Sequence, residues 1–134
     1  MRISSFEGLL EAARNQPERQ RLLLVFTKAE LPEGASPEEV ERFERGLGGA
    51  LTPVMFVDKA AEELESFAEL VAESVETGRS WEVVFVGCLG GPGPRGPSEE
   101  ETERTLEAMV ESIQRGAVTR FIAFRRDGEP LQLS

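Results

Sequence analysis

The chain has 134 residues, of which 40% are hydrophobic and 30% charged, a composition typical of one globular domain and too apolar for a disordered chain. Its formal net charge of -10 repels phosphate backbones and argues against nucleic-acid binding. No apolar run approaches the ~20 residues of a membrane span, and the first residues lack the apolar core of a signal peptide. We therefore expect residues 1–134 to form a single cytoplasmic domain with no membrane segment.

The first helix and strand are predicted within residues 4–27. Ser4 and Glu7 have the spacing of a capping box, and an apolar stripe at helical spacing continues until Pro17. Residues 21–27, RLLLVFT, form a short continuous apolar run that is typical of a strand covered on both faces. We therefore expect this strand in the centre of the sheet.

A second helix and strand follow. Ser36 and Glu39 predict a short helix that ends at the glycines of residues 46–49. Residues 53–57, PVMFV, predict a second buried strand. Asp58 comes directly after that strand, where it is expected to cap the following helix by accepting backbone N–H bonds.

The third helix is predicted across residues 62–76, where apolar and acidic side chains separate onto two sides at about 100° per residue. The inner side holds Leu64, Phe67, Ala68, Val71 and Val75. The outer side holds an acidic stripe of Glu62, Glu65, Glu69, Glu73 and Glu76. We interpret the stripe as a solvated helix face; docking of a basic partner is the alternative, and a calcium loop is excluded by spacing.

The second half predicts a strand, a loop and a helix in turn. Residues 81–88 form an apolar strand, and residues 90–98, GGPGPRGPS, form a loop. Ser98 and Glu101 have capping-box spacing, and Gly116 is expected to close the helix. The inner stripe of this helix consists of Leu106, Met109, Val110 and Ile113.

The chain is expected to end in a hairpin. Residues 120–124 predict a strand, and Asp127-Gly128 predicts a tight turn into residues 131–133, with Pro130 marking an edge strand. Because helices and strands alternate before this point, the predicted fold class is α/β. We expect an open sheet with a mostly parallel core, helices covering it, and a C-terminal antiparallel β-hairpin.

The residue types limit the chemistry of any site. The chain has no histidine and no tyrosine, which removes the commonest general base, the commonest metal ligand and every nucleophile pair that depends on histidine. Its single cysteine, Cys88, can form no disulfide within the chain, which favours a reducing compartment. The loop of residues 90–98 matches neither phosphate-binding glycine motif. We predict no metal and no cofactor.

A candidate ligand site is nevertheless expected where parallel strands end, since ligands bind at the carboxyl ends of such strands. The polar residues that follow the predicted strands are Lys28, Asp58, Lys59, Cys88 and Arg95. Each also has a structural interpretation: the lysines as solvated charges, the aspartate as a helix cap, and the cysteine as a small buried apolar residue.

Five stretches together resemble one family of small proteobacterial proteins, and the likeness covers nearly the whole chain. They are SSFEGLLEAARNQPERQRLLLVF, ELPEGASPEE, GALTPVMFVDK, FAELVAES and FIAFRRDGEPLQLS. Members of the family are often labelled "ribonucleotide reductase subunit alpha". We interpret that label as a propagated error, because the catalytic subunit is a much larger barrel that uses several cysteines, whereas this chain has only Cys88. No reductase residue can be placed in this sequence.

Three functional hypotheses remain open. The first is a non-enzymatic protein-interaction or regulatory module, which is favoured by the limited set of catalytic side chains and by the uneven distribution of charged residues along the chain. The second is a small-molecule-binding protein or enzyme that uses the five candidate residues. The third is self-association through the edge of the terminal hairpin, which Pro130 and neighbouring charges oppose.

Overall fold

The structure, a computed structural model, describes residues 5–31, 33–45 and 50–131. Its helices are α1 (Phe6–Arg14), α2 (Pro37–Glu44), α3 (Phe67–Val75) and α4 (Glu99–Gln114), with a short 3-10 turn at Ala61–Glu63. Its strands are β1 (Arg19–Glu30), β2 (Ala50–Ala60), β3 (Val83–Gly91), β4 (Ile122–Arg125) and β5 (Pro130–Leu131). They form a five-stranded sheet in the order β2-β1-β3-β4-β5, with every neighbouring pair antiparallel.

The α/β class is therefore present, but the predicted parallel core is wrong. β1 runs opposite to both of its neighbours. The helix between β1 and β2 has no buried residue, so α2 belongs to a long hairpin connection and does not cover the sheet. β2 and β3 do run in the same direction, but β1 lies between them. Helices and strands therefore alternate along this chain although no two neighbouring strands in the sheet are parallel.

Strand β1 lies inside the sheet, as predicted, because its apolar run supplies both faces. Leu22 to Thr27 are all buried. On one face, Leu22, Leu24 and Phe26 contact the apolar side chains of α1 and α3. On the other face, Leu23 and Val25 join the core formed with Leu106, Met109 and Ile113 of α4. Helices therefore cover the sheet on both sides.

Strand β2 was predicted to be buried, and that prediction is wrong. β2 lies at the edge of the sheet, where Phe56 is 52% exposed and Val57 37% exposed. Its pairing with β1 shifts between Phe26 and Thr27, so Val54 has no partner in the register. Such a bulge bends the strand locally. β2 is as apolar as β1, but at the edge of the sheet no described strand lies along its outer side.

The predicted helix over residues 62–76 is interrupted. The chain is extended at Leu64, and Ser66 then caps α3 by accepting a hydrogen bond from the Glu69 N–H. Leu64 and Phe67 are buried as expected, whereas Val75 is exposed. Asp58 does not cap a helix, because β2 continues through it to Ala60.

The caps of the other helices follow the sequence signals with two changes. Ser5, and not Ser4, caps α1 through its hydroxyl; Ser4 lies outside the described residues. Ser36 forms the predicted capping box with Glu39. At the start of α4 the Ser98 hydroxyl accepts a hydrogen bond from the Glu101 N–H, which is only one of the two bonds of the predicted capping box.

Two chain reversals also agree with the sequence. Gly116 follows α4 with φ +78°, a left-handed conformation in which a Cβ would be strained. Gly128, with φ +91°, turns the chain between β4 and β5. Pro130 lies on the edge strand β5, while residues 132–134 and the glycines of residues 46–49 lie outside the described part of the chain.

Among the described residues, no helix has both the length and the apolar character needed to cross a membrane.

Candidate functional site

The five predicted site residues do not share one edge of the sheet. Lys28 lies opposite Thr52, whereas Asp58 lies opposite Leu23. These two positions are five residues apart along β1, which corresponds to roughly 17 Å. The antiparallel direction of β1 thus places Lys28 at the end of the sheet remote from Asp58, Lys59 and Cys88.

Lys59 and Cys88 lie at the same level across the sheet. Both are paired with Leu22 of the intervening strand, so their side chains project from the face that α1 and α3 cover. Asp58 is the neighbour of Lys59 along β2, so its side chain projects from the opposite face. Because β2 and β3 run in the same direction, these three residues lie at one end of the sheet, but on two different faces.

Both charged members of this group already have partners. The Lys59 ammonium lies 2.8 Å from a carboxylate oxygen of Glu73 on α3. Asp58 forms an ion pair with Arg21 of β1. A hollow of about 370 Å³ lies beside Asp58 and is lined by Arg21, Asp58, Pro97, and Glu99, Thr102 and Glu103 of α4. In the described part of the chain, no three acidic or thiol groups are arranged to hold a metal ion.

In the described part of the chain, no feature activates the Cys88 thiol. The side chain is exposed, but the surrounding protein atoms remove enough water to raise the pKa of the thiol. A raised pKa lowers the thiolate fraction at neutral pH, and the thiolate is the reactive form. The thiol therefore has the opposite of the property that a catalytic cysteine requires.

Arg95 lies in the loop between β3 and α4 and is exposed. This loop folds back on the beginning of β1, since the Arg19 guanidinium donates to the Pro94 carbonyl. A Cβ on Gly91 would lie 2.4 Å from the Pro97 nitrogen, so only glycine permits this close return. The loop thus holds Arg95 away from Lys28, at the opposite end of the sheet.

The outer edge of β2 offers a different kind of site, which sequence reasoning missed. β2 is an edge strand of eleven residues, and no described strand pairs with its outer side. Phe56 and Val57 project from opposite faces because side chains alternate along a strand. Each face of this edge therefore presents an exposed apolar side chain.

A groove runs between β2 and α3 on the face of Val57. Three contacts show that α3 and the turn after it lie alongside β2 in the opposite direction: Lys59 with Glu73, Met55 with Thr77, and the Val54 carbonyl with Arg79. The groove has a volume of about 170 Å³. Its lining residues are Phe26, Met55, Val57, Lys59, Leu70, Glu73, Ser74 and Thr77.

Glu73 is the acidic residue that α3 contributes to the lining of this groove, and two further carboxylates lie beside it on the helix. Glu69, Glu73 and Glu76 are spaced by four and three residues, so they lie on one face of the helix. We call these three residues the acidic rim. Glu73 is paired with Lys59, while in the described part of the chain no basic group lies within 4 Å of the Glu69 or Glu76 carboxylates.

A further hollow of about 530 Å³ lies at the other end of the sheet. The Arg126 guanidinium lies 5.3 Å from the centre of the Trp81 ring, and Arg125 lies 3.8 Å from Asp127. Both arginines therefore already have favourable partners, which reduces their availability to an anionic ligand.

Comparison with known proteins adds no assignment, because no protein-family model, curated protein or solved structure matches this chain. The resemblance to the small proteobacterial family stays a prediction, and so does ligand binding at the five candidate residues.

Proposed function

We propose that this protein is a non-enzymatic protein-interaction module that binds an extended segment of a partner along the outer edge of β2. The observation that carries the proposal is an edge strand of eleven residues with Phe56 and Val57 exposed. The outward backbone N–H and C=O groups of an edge strand can form hydrogen bonds with an added strand. In β2 the exceptions are Pro53, which has no N–H, the Val54 carbonyl, which accepts from Arg79, and the Ala60 N–H, which donates to Glu63. Alternate side chains of the added strand would contact the two faces of the edge.

The chemistry of the chain supports binding over catalysis. Histidine and tyrosine are absent, and the raised pKa of Cys88 reduces the reactivity of its thiol. The proposal places the protein in the reducing cytoplasm, which a single cysteine favours. The net charge of -10 favours a basic protein partner over a nucleic acid.

The β2 edge is also the better of the two sheet edges for this role. The described part of β5 has only two residues and begins with Pro130, which lacks a backbone donor. Within the described residues, self-association through the terminal hairpin would therefore have few hydrogen bonds available. β2 has a longer edge, and its apolar side chains are already exposed.

Photo-crosslinking in cells tests the proposal. A photoreactive phenylalanine analogue replaces Phe56, and the same analogue replaces Glu107 on the outer side of α4 as the control. We expect a discrete protein adduct from position 56 and none from position 107. Absence of an adduct at position 56, or identical adducts at both positions, would overturn the proposal.

Hydrogen exchange then tests whether the partner adds as a strand. The crosslinked segment of the partner is identified by mass spectrometry, synthesised, and added to the protein. We expect slower amide exchange at alternate positions of β2, because outward N–H groups become bonded. If the segment binds without protecting any amide of residues 50–60, strand addition is wrong.

A further inference from the structure

We infer that the β2 edge selects a basic segment in which one apolar residue is flanked, two positions away on each side, by lysine or arginine. This inference rests on the proposed strand addition and names the class of partner. It depends on the groove between β2 and α3, on the acidic rim, and on the spacing of side chains in a strand.

The groove determines the apolar residue. Phe26 and Leu70 are buried at its floor, and Met55 and Val57 form its β2 side. Its volume of about 170 Å³ compares with roughly 150 Å³ for a protein cavity that accommodates benzene. The groove therefore has room for one leucine, methionine or phenylalanine side chain from an added strand.

The acidic rim determines the charge of the neighbouring residues. Glu69 and Glu76 are seven residues apart, which places them about 10.5 Å apart along the helix axis. Glu73 lies between them and is paired with Lys59, so its charge is already balanced. The carboxylates of Glu69 and Glu76, one helical turn before and after Glu73, are thus left to attract positive charge near the groove, while the Arg79 guanidinium at its Val54 end is already hydrogen-bonded to the Val54 carbonyl.

Strand geometry connects these two features. Side chains at positions i-2, i and i+2 of an added strand project from the same face, and the outer two are about 13 Å apart. If residue i enters the groove, residues i-2 and i+2 lie near the two ends of the acidic rim. Lysine and arginine side chains are long and flexible enough to close the remaining distance.

The same charges argue against a second copy of this chain as the occupant. A symmetric pair of β2 strands would bring two acidic rims together, in a protein whose net charge is already -10. Such a strand would supply only Lys59, which Glu73 already binds. Charge complementarity therefore favours a different, basic protein.

Fluorescence anisotropy with a designed peptide tests the inference. The probe is a labelled seven-residue peptide in which threonines alternate with lysine, leucine and lysine. We expect binding that weakens as salt rises. Replacing the leucine by alanine should weaken binding about tenfold because less apolar area is buried, and replacing both lysines by glutamates should weaken it by at least about tenfold.

The protein variants separate specific from general charge effects. We expect E69K/E76K to weaken binding of the lysine peptide about tenfold and to improve binding of the glutamate peptide. The matched control, E107K/E111K, changes the net charge by the same amount on the exposed side of α4. It should have a much smaller effect, and circular dichroism checks the folding of both variants.

The outcomes distinguish this inference from the proposed function. If position 56 crosslinks to a partner but E69K/E76K and its control weaken the peptide equally, the edge binds a partner and the sequence preference is wrong. The same conclusion follows if the alanine peptide binds as tightly as the leucine peptide. If light scattering shows a dimer that E69K/E76K stabilises, a second copy is the occupant and the inference is overturned.

Discussion

Strands β1 and β2 have similar length and similar apolar content, but the protein uses them differently. They pair along most of their length, with Leu24 opposite Val57. Leu24 is completely buried, whereas Val57 is partly exposed. The difference arises because β1 has strands on both sides and helices over both faces, whereas among the described strands β2 has a neighbour on one side only. Apolar composition therefore does not determine burial; position in the sheet does.

The largest expected effect on stability comes from truncating the Leu24 side chain, with Val57 as its matched comparison. Leu24→Ala should lower the free energy of unfolding by about 2–5 kcal/mol, because it removes buried methyl groups and leaves a cavity. Val57→Ala should lower it by less than about 1 kcal/mol, because part of the removed surface is already in water. Urea denaturation of both variants measures the difference. Equal losses would mean that β2 is covered in solution.

A second prediction concerns the buried Trp81 side chain, which packs against Phe26 of β1. The Trp81 ring lies 4.9 Å from the Phe26 ring, and its indole N–H donates to the Ser74 hydroxyl at 2.8 Å. Ser74→Ala should destabilise the protein by about 1–3 kcal/mol, because the buried N–H loses its partner. Thermal unfolding measures this loss. Ser112→Ala, in a half-buried position of α4, is the control and should have less effect.

A third prediction compares the helix that covers β1 with the helix that precedes β2. Ser98→Ala removes the cap of α4, which packs on the sheet, and should lower the free energy of unfolding by about 1 kcal/mol. Ser36→Ala removes the cap of α2, which has no buried residue. We expect faster amide exchange within α2 but little change in global unfolding. A comparable global loss in both variants would show that α2 is packed.

The smallest effect concerns Cys88, which lies in register with Leu22 of β1. Its raised pKa means that the folded protein retains the thiol proton at a pH where the unfolded chain has lost it. Stability should therefore decline slightly as pH rises beyond the ordinary pKa of cysteine. Alkylation by iodoacetamide should be slower in the folded protein than in urea, with its pH midpoint shifted upward. An unshifted midpoint would contradict desolvation of the thiol.

Local signals predicted much of the secondary structure. The Ser36 capping box, the Ser98 cap and the Gly116 terminus appear where the sequence placed them, because a cap depends on a few neighbouring residues. Asp58 had an equally good local signal and was predicted wrongly. Its strand continues beside β1, where Arg21 binds its carboxylate, and that partner is distant in sequence.

The candidate site was harder to predict because it required strand directions. Alternating helices and strands suggested parallel neighbours, and a common rim for Lys28, Asp58 and Cys88 depended on that direction. The β2 edge gave only an indirect signal. Pro53 within the apolar run of residues 53–57 is typical of an edge strand, whereas the four apolar residues that follow it are equally typical of a buried one.

The sequence by itself determined the types of most elements, the apolar faces of α4 and β1, and a side-chain inventory without histidine. These properties depend on residue type and on spacing over a few positions. Only the tertiary structure decided that β1 opposes both neighbours, that β2 lies at an edge, and that α3 forms a groove beside it. Those features depend on contacts between distant segments, and similar apolar runs satisfy several strand orders equally well until the helices cover the sheet.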